Sequence, residues 1–225
     1  MPRIELGRIA GVPVFLDMFF VLVLILFTYP YFTQGSSQLV SAGIVIVIGL
    51  LASILLHELG HALAGRLFKT PVAFIELTGL GGIAHFERSL PTSALKRSVI
   101  YLAGPAANLV LWYAFDWMAS AAIESGKTML ALPLATLGSA NLFLLVFNLL
   151  PAFPLDGGHT LDAWLGAVIG SHRARQVVGV LGIVVAAGIA WISIPRDFWM
   201  MLLALVMFLT NWEALKSGGG FGRWQ

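Results

Sequence analysis

The sequence predicts an all-α polytopic membrane protein of about six transmembrane helices, with one short β-hairpin at the membrane boundary. Three observations point there. Of the 225 residues, 59% are hydrophobic and only 11% charged, and the mean hydropathy is +0.90. A soluble domain this apolar has too few polar groups to cover its surface. The apolar residues also fall in long runs, and the basic residues sort into alternate connections between those runs. A formal net charge of +2, with no basic cluster or stacking array, excludes nucleic acid as a partner. The absence of cysteine excludes disulfides and cysteine–metal sites.

The runs lie at about Val12–Tyr31, Leu39–Phe68, Val99–Ala122, Met129–Phe153, Val177–Ile194 and Phe198–Leu215. At 1.5 Å per residue, roughly 20 residues cross the hydrocarbon core. The first five meet that length; the sixth is weaker, because its uncharged stretch, Phe198–Trp212, is short. The first run begins inside the chain and lacks a small-residue cleavage site, so it reads as a span and not as a cleavable signal. No repeat or linker divides the chain, which reads as a single domain over residues 1–225.

Orientation follows from the excess of Lys and Arg in cytoplasmic loops. With the N-terminus inside, the inner segments hold Arg3, Arg8, Arg66, Lys69, Arg88, Lys96, Arg97, Arg173, Arg175, Lys216 and Arg223. Of the 13 basic residues only Lys127 and Arg196 are left outside. Shifting the register by one helix destroys this asymmetry, so both termini are expected in the cytosol. Thr70–Arg97 differs from the runs: Pro71, Gly79, Gly81 and Gly82 interrupt β-favouring residues such as Val72, Phe74, Ile75, Ile83 and Phe86. A hairpin at the cytoplasmic membrane boundary fits this composition best, with a plain connecting loop as the alternative.

Inside the second run, His57-Glu58-Leu59-Gly60-His61 is an H-E-x-x-H motif. Residues i and i+4 share a helix face, so both imidazoles can reach one metal, and Glu58 can sit beside a bound water as general base and proton donor. Two histidines and a carboxylate are expensive to bury in a membrane helix without a function. Catalytic zinc takes three protein ligands and keeps a fourth position for water. Without cysteine the third must be His, Asp or Glu. Asp156 stands out, in Asn148-Leu-Leu-Pro-Ala-Phe-Pro-Leu-Asp156-Gly-Gly-His159 at the end of the fourth run. The second and fourth runs both lead from outside to inside, so His57, His61 and Asp156 converge at similar depth near the cytosol. Pro151 and Pro154 predict extended backbone before Asp156, and Gly157 and Gly158 would permit close approach to the metal.

These paired motifs resemble the site-2 protease family of intramembrane metalloproteases. Gly104-Pro105-Ala-Ala-Asn108 and the glycines around Gly81-Gly82 match that family as well, and the resemblance runs from Gly7 to His159. It implies a catalytic core of the second, third and fourth spans (about residues 39–160), with one Zn²⁺ held by His57, His61 and Asp156. It further implies that Asn148 lies near the metal and contacts the substrate backbone, and that the Gly-rich hairpin holds the substrate extended. The expected activity is hydrolysis of peptide bonds in or near transmembrane segments of substrate proteins in the bilayer. Two departures are a missing PDZ-like insertion and a missing regulatory domain after Leu215. The mechanism read from the residues agrees: Glu58 takes the water's proton, and charge on the carbonyl oxygen is met by zinc with help from the Asn148 amide.

Other polar residues stay secondary. For Asn108, helix packing and a catalytic role weigh equally. Asn141 reads as a packing or cleft-hydrating group, His159 as a solvated loop residue or a partner of Asp156, and His85 and His172 as non-ligands. Asp17, Asp116 and the tryptophans at 191, 199, 212 and 224 read as interfacial. The competing function is a polytopic zinc transporter or sensor. It requires polar groups staged across the bilayer, whereas the outer halves of these runs are almost wholly apolar.

Overall fold

The computed structural model describes residues 3–79, 81–193 and 198–217. Arg196, Arg223 and Trp224 lie outside the described residues. The chain opens with two strands, β1 (Arg3–Ile9) and β2 (Val12–Asp17). A helix follows, α1 (Met18–Thr33), whose first turn is capped by Asp17 Oδ1 accepting from the Phe19 N–H at 3.1 Å. The long helix α2 (Ser37–Leu67) returns antiparallel to α1; at their shared end Gly43 leaves room for Tyr31 and Phe32. Strands β3 (Val72–Thr78) and β4 (Gly81–Phe86) come next, then α3 (Ala94–Glu124), α4 (Thr128–Asn148), α5 (Asp156–Ile169), α6 (Ser171–Ser193) and α7 (Phe198–Ser217).

Five of these helices, α2, α3, α4, α6 and α7, are long and apolar enough to cross a membrane. The expected first span is divided: its N-terminal third forms β2, and α1 keeps 16 residues. Sixteen residues rise about 24 Å, less than the roughly 30 Å hydrocarbon core. Hydropathy alone merges the two because Val12–Asp17 is as apolar as the helix it precedes.

The fold is mostly helical, and in place of a single short hairpin there is a four-stranded sheet in the order β1-β2-β3-β4. The outer pairs are antiparallel, whereas β2 and β3 run parallel, Val14 opposite Ile75. Val12, Val14, Val72, Ile75 and Leu77 project from the sheet onto Leu59 and Ala62 of α2, forming one apolar core directly behind the H-E-x-x-H turn. Arg66 fastens the N-terminal hairpin to the same end of α2 by donating to the Ala10 carbonyl at 2.6 Å. A second core lies where α6 and α7 close over the connection after α4: Ala152 and Leu155 meet Ala186, Ile189, Ala204 and Met207.

That connection was expected to be extended. It folds instead as consecutive turns, with Ala152 N–H bonded to Leu150 O and Leu155 N–H to Ala152 O, both at 2.9 Å, and the Phe153–Pro154 peptide is cis. The proline rings forbid helix, but buried backbone groups still need partners, and turns supply them within the segment. Gly157 and Gly158 face this connection and not His57 and His61. A Cβ on Gly157 would meet the Leu149 carbonyl oxygen at 2.3 Å, and one on Gly158 the Ala152 carbonyl oxygen at 2.5 Å. They let the first turn of α5 fold back against the chain that precedes it.

Candidate active site

His57, Glu58 and His61 occupy consecutive turns of α2 and are buried, at 7%, 4% and 6% exposure. Helix α3 crosses them closely: a Cβ on Gly60 would stand 2.5 Å from the Ala103 carbonyl oxygen. Gly104, opposite, leaves space for both imidazoles, since a Cβ there would lie 2.3 Å from His61 Nε2 and 2.6 Å from His57 Nε2. Asp156, the first residue of α5, reaches the same point. Its Oδ2 is 3.2 Å from His57 Nε2 and its Oδ1 is 3.4 Å from His61 Nε2, while the two Nε2 atoms are 3.1 Å apart.

The hydrogen bonds behind the histidines decide which ring nitrogens carry protons. His61 Nδ1 lies 2.8 Å from the Ile100 carbonyl oxygen, a pure acceptor, so Nδ1 carries a proton and Nε2 is the nitrogen left to offer its lone pair to a metal. For His57 the sense is set by a buried chain of amides. Asn141 Nδ2 donates to the Leu137 carbonyl at 2.8 Å and to Ser53 Oγ at 2.9 Å. Asn141 Oδ1 therefore accepts from Asn108 Nδ2 at 2.9 Å. Asn108 Oδ1 in turn accepts from His57 Nδ1, which again makes Nε2 the nitrogen available to a metal. Asn108, Asn141 and Ser53 are all fully buried.

Two imidazole lone pairs and a carboxylate thus converge, with Asp156 Oδ2 lacking any hydrogen-bond donor. Such donors repel unless a cation lies among them. Their ligand atoms all fall within 4.8 Å of one another, so the three residues could hold one metal ion. Nitrogen and oxygen ligands at 2.0–2.1 Å in tetrahedral array stand about 3.4 Å apart. The 3.1 Å between the two Nε2 atoms is close to that figure, and each lies 3.2–3.4 Å from a different oxygen of the Asp156 carboxylate.

Glu58 points to the sheet side. Gly82 of β4 packs on it so closely that a Cβ would sit 2.3 Å from Glu58 Cγ and 2.5 Å from its Oε1. Asn148, the last residue of α4, turns its amide back to the Leu144 carbonyl of its own helix at 3.0 Å. His159 is not a solvated loop residue. It lies in the first turns of α5, stacked on Tyr101 with ring centroids 4.8 Å apart and edge-on to Phe153 at 5.1 Å. Burial pushes its imidazole down to about 4, so it stays neutral beside Asp156. His85 stands apart from the histidine–aspartate group, 3.3 Å from Glu76 and stacked on Phe74. The Asn108–Asn141–Ser53 chain was not foreseen; isolated polar residues at Ser53, Asn108 and Asn141 in apolar runs were its only trace.

The family model for peptidase family M50 matches residues 45–126 and 114–191, which hold every residue of this cluster. The chain belongs to peptidase family M50. The resemblance to site-2 proteases stands with it. The M50 chain shares the fold of the site-2 protease from Methanocaldococcus jannaschii, with a TM-score of 0.68 at 24% identity over 95% of each chain. It is 30% identical to the zinc metalloprotease MJ0392 of Methanocaldococcus jannaschii over 179 residues, 80% of this chain and 50% of that protein. It is 34% identical to Rip3 of Mycobacterium tuberculosis over 208 residues, 83% of this chain and 51% of that protein. The chain thus spans about half the length of these two curated relatives.

Proposed function

We propose that this M50 chain is an intramembrane zinc metalloendopeptidase that hydrolyses peptide bonds in or near transmembrane segments of substrate proteins. The observation that carries the proposal is the meeting of two imidazole nitrogens and a carboxylate within reach of one ion beside Glu58, among helices apolar enough to cross a bilayer. His57, His61 and Asp156 hold the zinc, and Glu58 is the general base. Bound there, zinc supplies a Lewis acid that polarises the scissile carbonyl and lowers the pKa of a water to about 7.

The protein's own residues supply the rest. Asn108 and the Ile100 carbonyl fix the tautomer and orientation of the two imidazoles. Gly82 packs against the Glu58 carboxylate, which takes the water's proton and returns it to the leaving amine. Peptide bonds in a membrane helix are internally hydrogen-bonded, so a substrate must unwind locally before it reacts. Strand β4 is an outer strand of the sheet and adjoins Glu58, so its free edge can pair with the unwound segment and keep it extended. Asn148 is read as a substrate-backbone donor; it exchanges its Leu144 bond for the substrate and steadies the developing oxyanion.

Purified chain should carry about one zinc, in line with a single three-residue site. His57→Ala, His61→Ala and Asp156→Ala should each lower occupancy, measured by metal analysis, while His85→Ala and His172→Ala should leave it unchanged. Full occupancy and activity in Asp156→Ala would reject the third-ligand assignment.

The orientation is part of the same reading. Pairing of β2 with β3 and the Arg66–Ala10 bond hold the N-terminal hairpin at the inner end of α2, which makes α1 a sixth crossing despite its length. With the basic residues at that end, both termini and the site lie toward the cytosol. Single cysteines at Ser36 and Ser125 should react with impermeant reagents from outside, and one at Ser217 only after permeabilisation. External labelling at Ser217 would exclude this topology.

A further inference from the structure

Asn211 belongs to α7, outside the helices that carry the site, and is fully buried. Its carboxamide bonds to both backbone groups of one distant residue. Oδ1 accepts from the Phe153 N–H at 3.0 Å, and Nδ2 donates to the Phe153 carbonyl at 2.7 Å. The same Nδ2 donates to Met207 O at 2.7 Å, which anchors the amide to its own helix. A side-chain amide bonded in this way copies a neighbouring strand and fixes both the position and the facing of the peptide it grips. Helix α6 is shaped around it. A Cβ on Gly182 would lie 1.9 Å from Asn211 Oδ1, and one on Gly179 would lie 3.0 Å from the Asn211 carbonyl oxygen.

The gripped residue lies one short turn ahead of Asp156. Ala152 O receives the Leu155 N–H at 2.9 Å, and Leu155 O receives the His159 N–H at 3.1 Å, so little slack separates Phe153 from the start of α5. We infer that Asn211, seated against Gly182, is a positioning residue that sets the Ala152–Leu155 turn so that the Asp156 carboxylate meets His57 and His61. The inference rests on the reading of Asp156 as a metal ligand. Under it, the α6–α7 pair controls metal retention without contacting the metal.

The test is zinc affinity of purified full chain in detergent, by competition with a fluorescent zinc chelator, together with thermal stability on the same preparations. Asn211→Leu keeps the volume but leaves both Phe153 backbone groups unpaired. It should weaken zinc about 10–100-fold, the range for partners that orient a ligand. Gly182→Ala, which displaces the Asn211 amide, should act in the same direction and serves if Asn211→Leu does not fold. Ile46→Ala removes a fully buried side chain of α2 remote from the turn. It should lower the Tm and leave zinc affinity unchanged. In an Asp156→Ala background, Asn211→Leu should cost almost nothing more. Wild-type zinc affinity in the folded Asn211→Leu and Gly182→Ala variants would overturn the inference. So would an equal loss of affinity with and without Asp156, which marks general loosening of the fold. Undiminished affinity in Asp156→Ala alone would instead overturn the ligand reading, and the inference with it.

Discussion

Glu58→Gln is expected to keep its zinc and to cleave at least about a hundred-fold more slowly than the parent protein. The amide matches the carboxylate in size, and the Gly82 backbone that crowds Glu58 Cγ is undisturbed by it. None of the three converging donor atoms comes from Glu58, so the metal should remain. What the amide cannot do is accept a proton from water at neutral pH. General-base assistance typically contributes 10²–10⁴-fold, and loss of the same group as proton donor to the leaving amine adds to that. A suitable substrate can be found by comparing membrane proteomes of cells carrying the parent protein or Glu58→Gln, then reconstituted in liposomes for rate measurements. Asn148→Ala provides the graded comparison: it should retain zinc and lose less activity. Parent-like cleavage by Glu58→Gln would reject the proposed chemistry.

Gly104→Ala is expected to cost zinc affinity at least about a hundred-fold, the upper end of what a residue outside the ligand set usually controls. One methyl group does this because of where it falls. It would stand 2.3 Å from His61 Nε2 and 2.6 Å from His57 Nε2, the atoms that must face the metal. The rings cannot swing away without breaking their bonds to Ile100 and Asn108. Nor can α3 retreat freely, since Ile100 and Asn108 belong to α3 and would carry those bonds with them. Gly188→Ala on α6, whose Cβ meets nothing within 4 Å, is the matched control and should behave as the parent protein. Normal zinc binding by Gly104→Ala would show that the close crossing of α2 and α3 is not what orders the ligands.

Much of the site was legible because its signals are local or topological. His57 and His61 share a face by helical period alone, and Asp156 followed from two runs leading to the same side. The remainder depends on partners far apart in sequence. Asn108 and Asn141 are 33 residues apart, Asn211 and Phe153 58, and Asn141 and Ser53 88. A single asparagine in an apolar run says that some polar partner exists, but not which. Strands β1 and β2 were hidden for another reason. Arg3–Ile9 mixes charged and apolar residues without a turn signal that names its partner, and Val12–Asp17 is continuous with apolar helix. Helix α5 was masked by Gly157-Gly158, which reads as a loop until the backbone of Leu149 and Ala152 is known to press against it.

The third donor comes from a helix made long after the first two, and this has a meaning in time. His61 leaves the ribosome about 95 residues before Asp156. At roughly 5–20 residues per second, that is a delay on the order of 5–20 s. During it the second helix can enter the bilayer as an ordinary hydrophobic segment, its histidines unable to close a centre. If the chain is the protease proposed above, a growing copy beside other nascent membrane proteins at the translocon would leave them intact. On the proposed function, hydrolytic competence would arrive late in synthesis, through the distance between two short motifs.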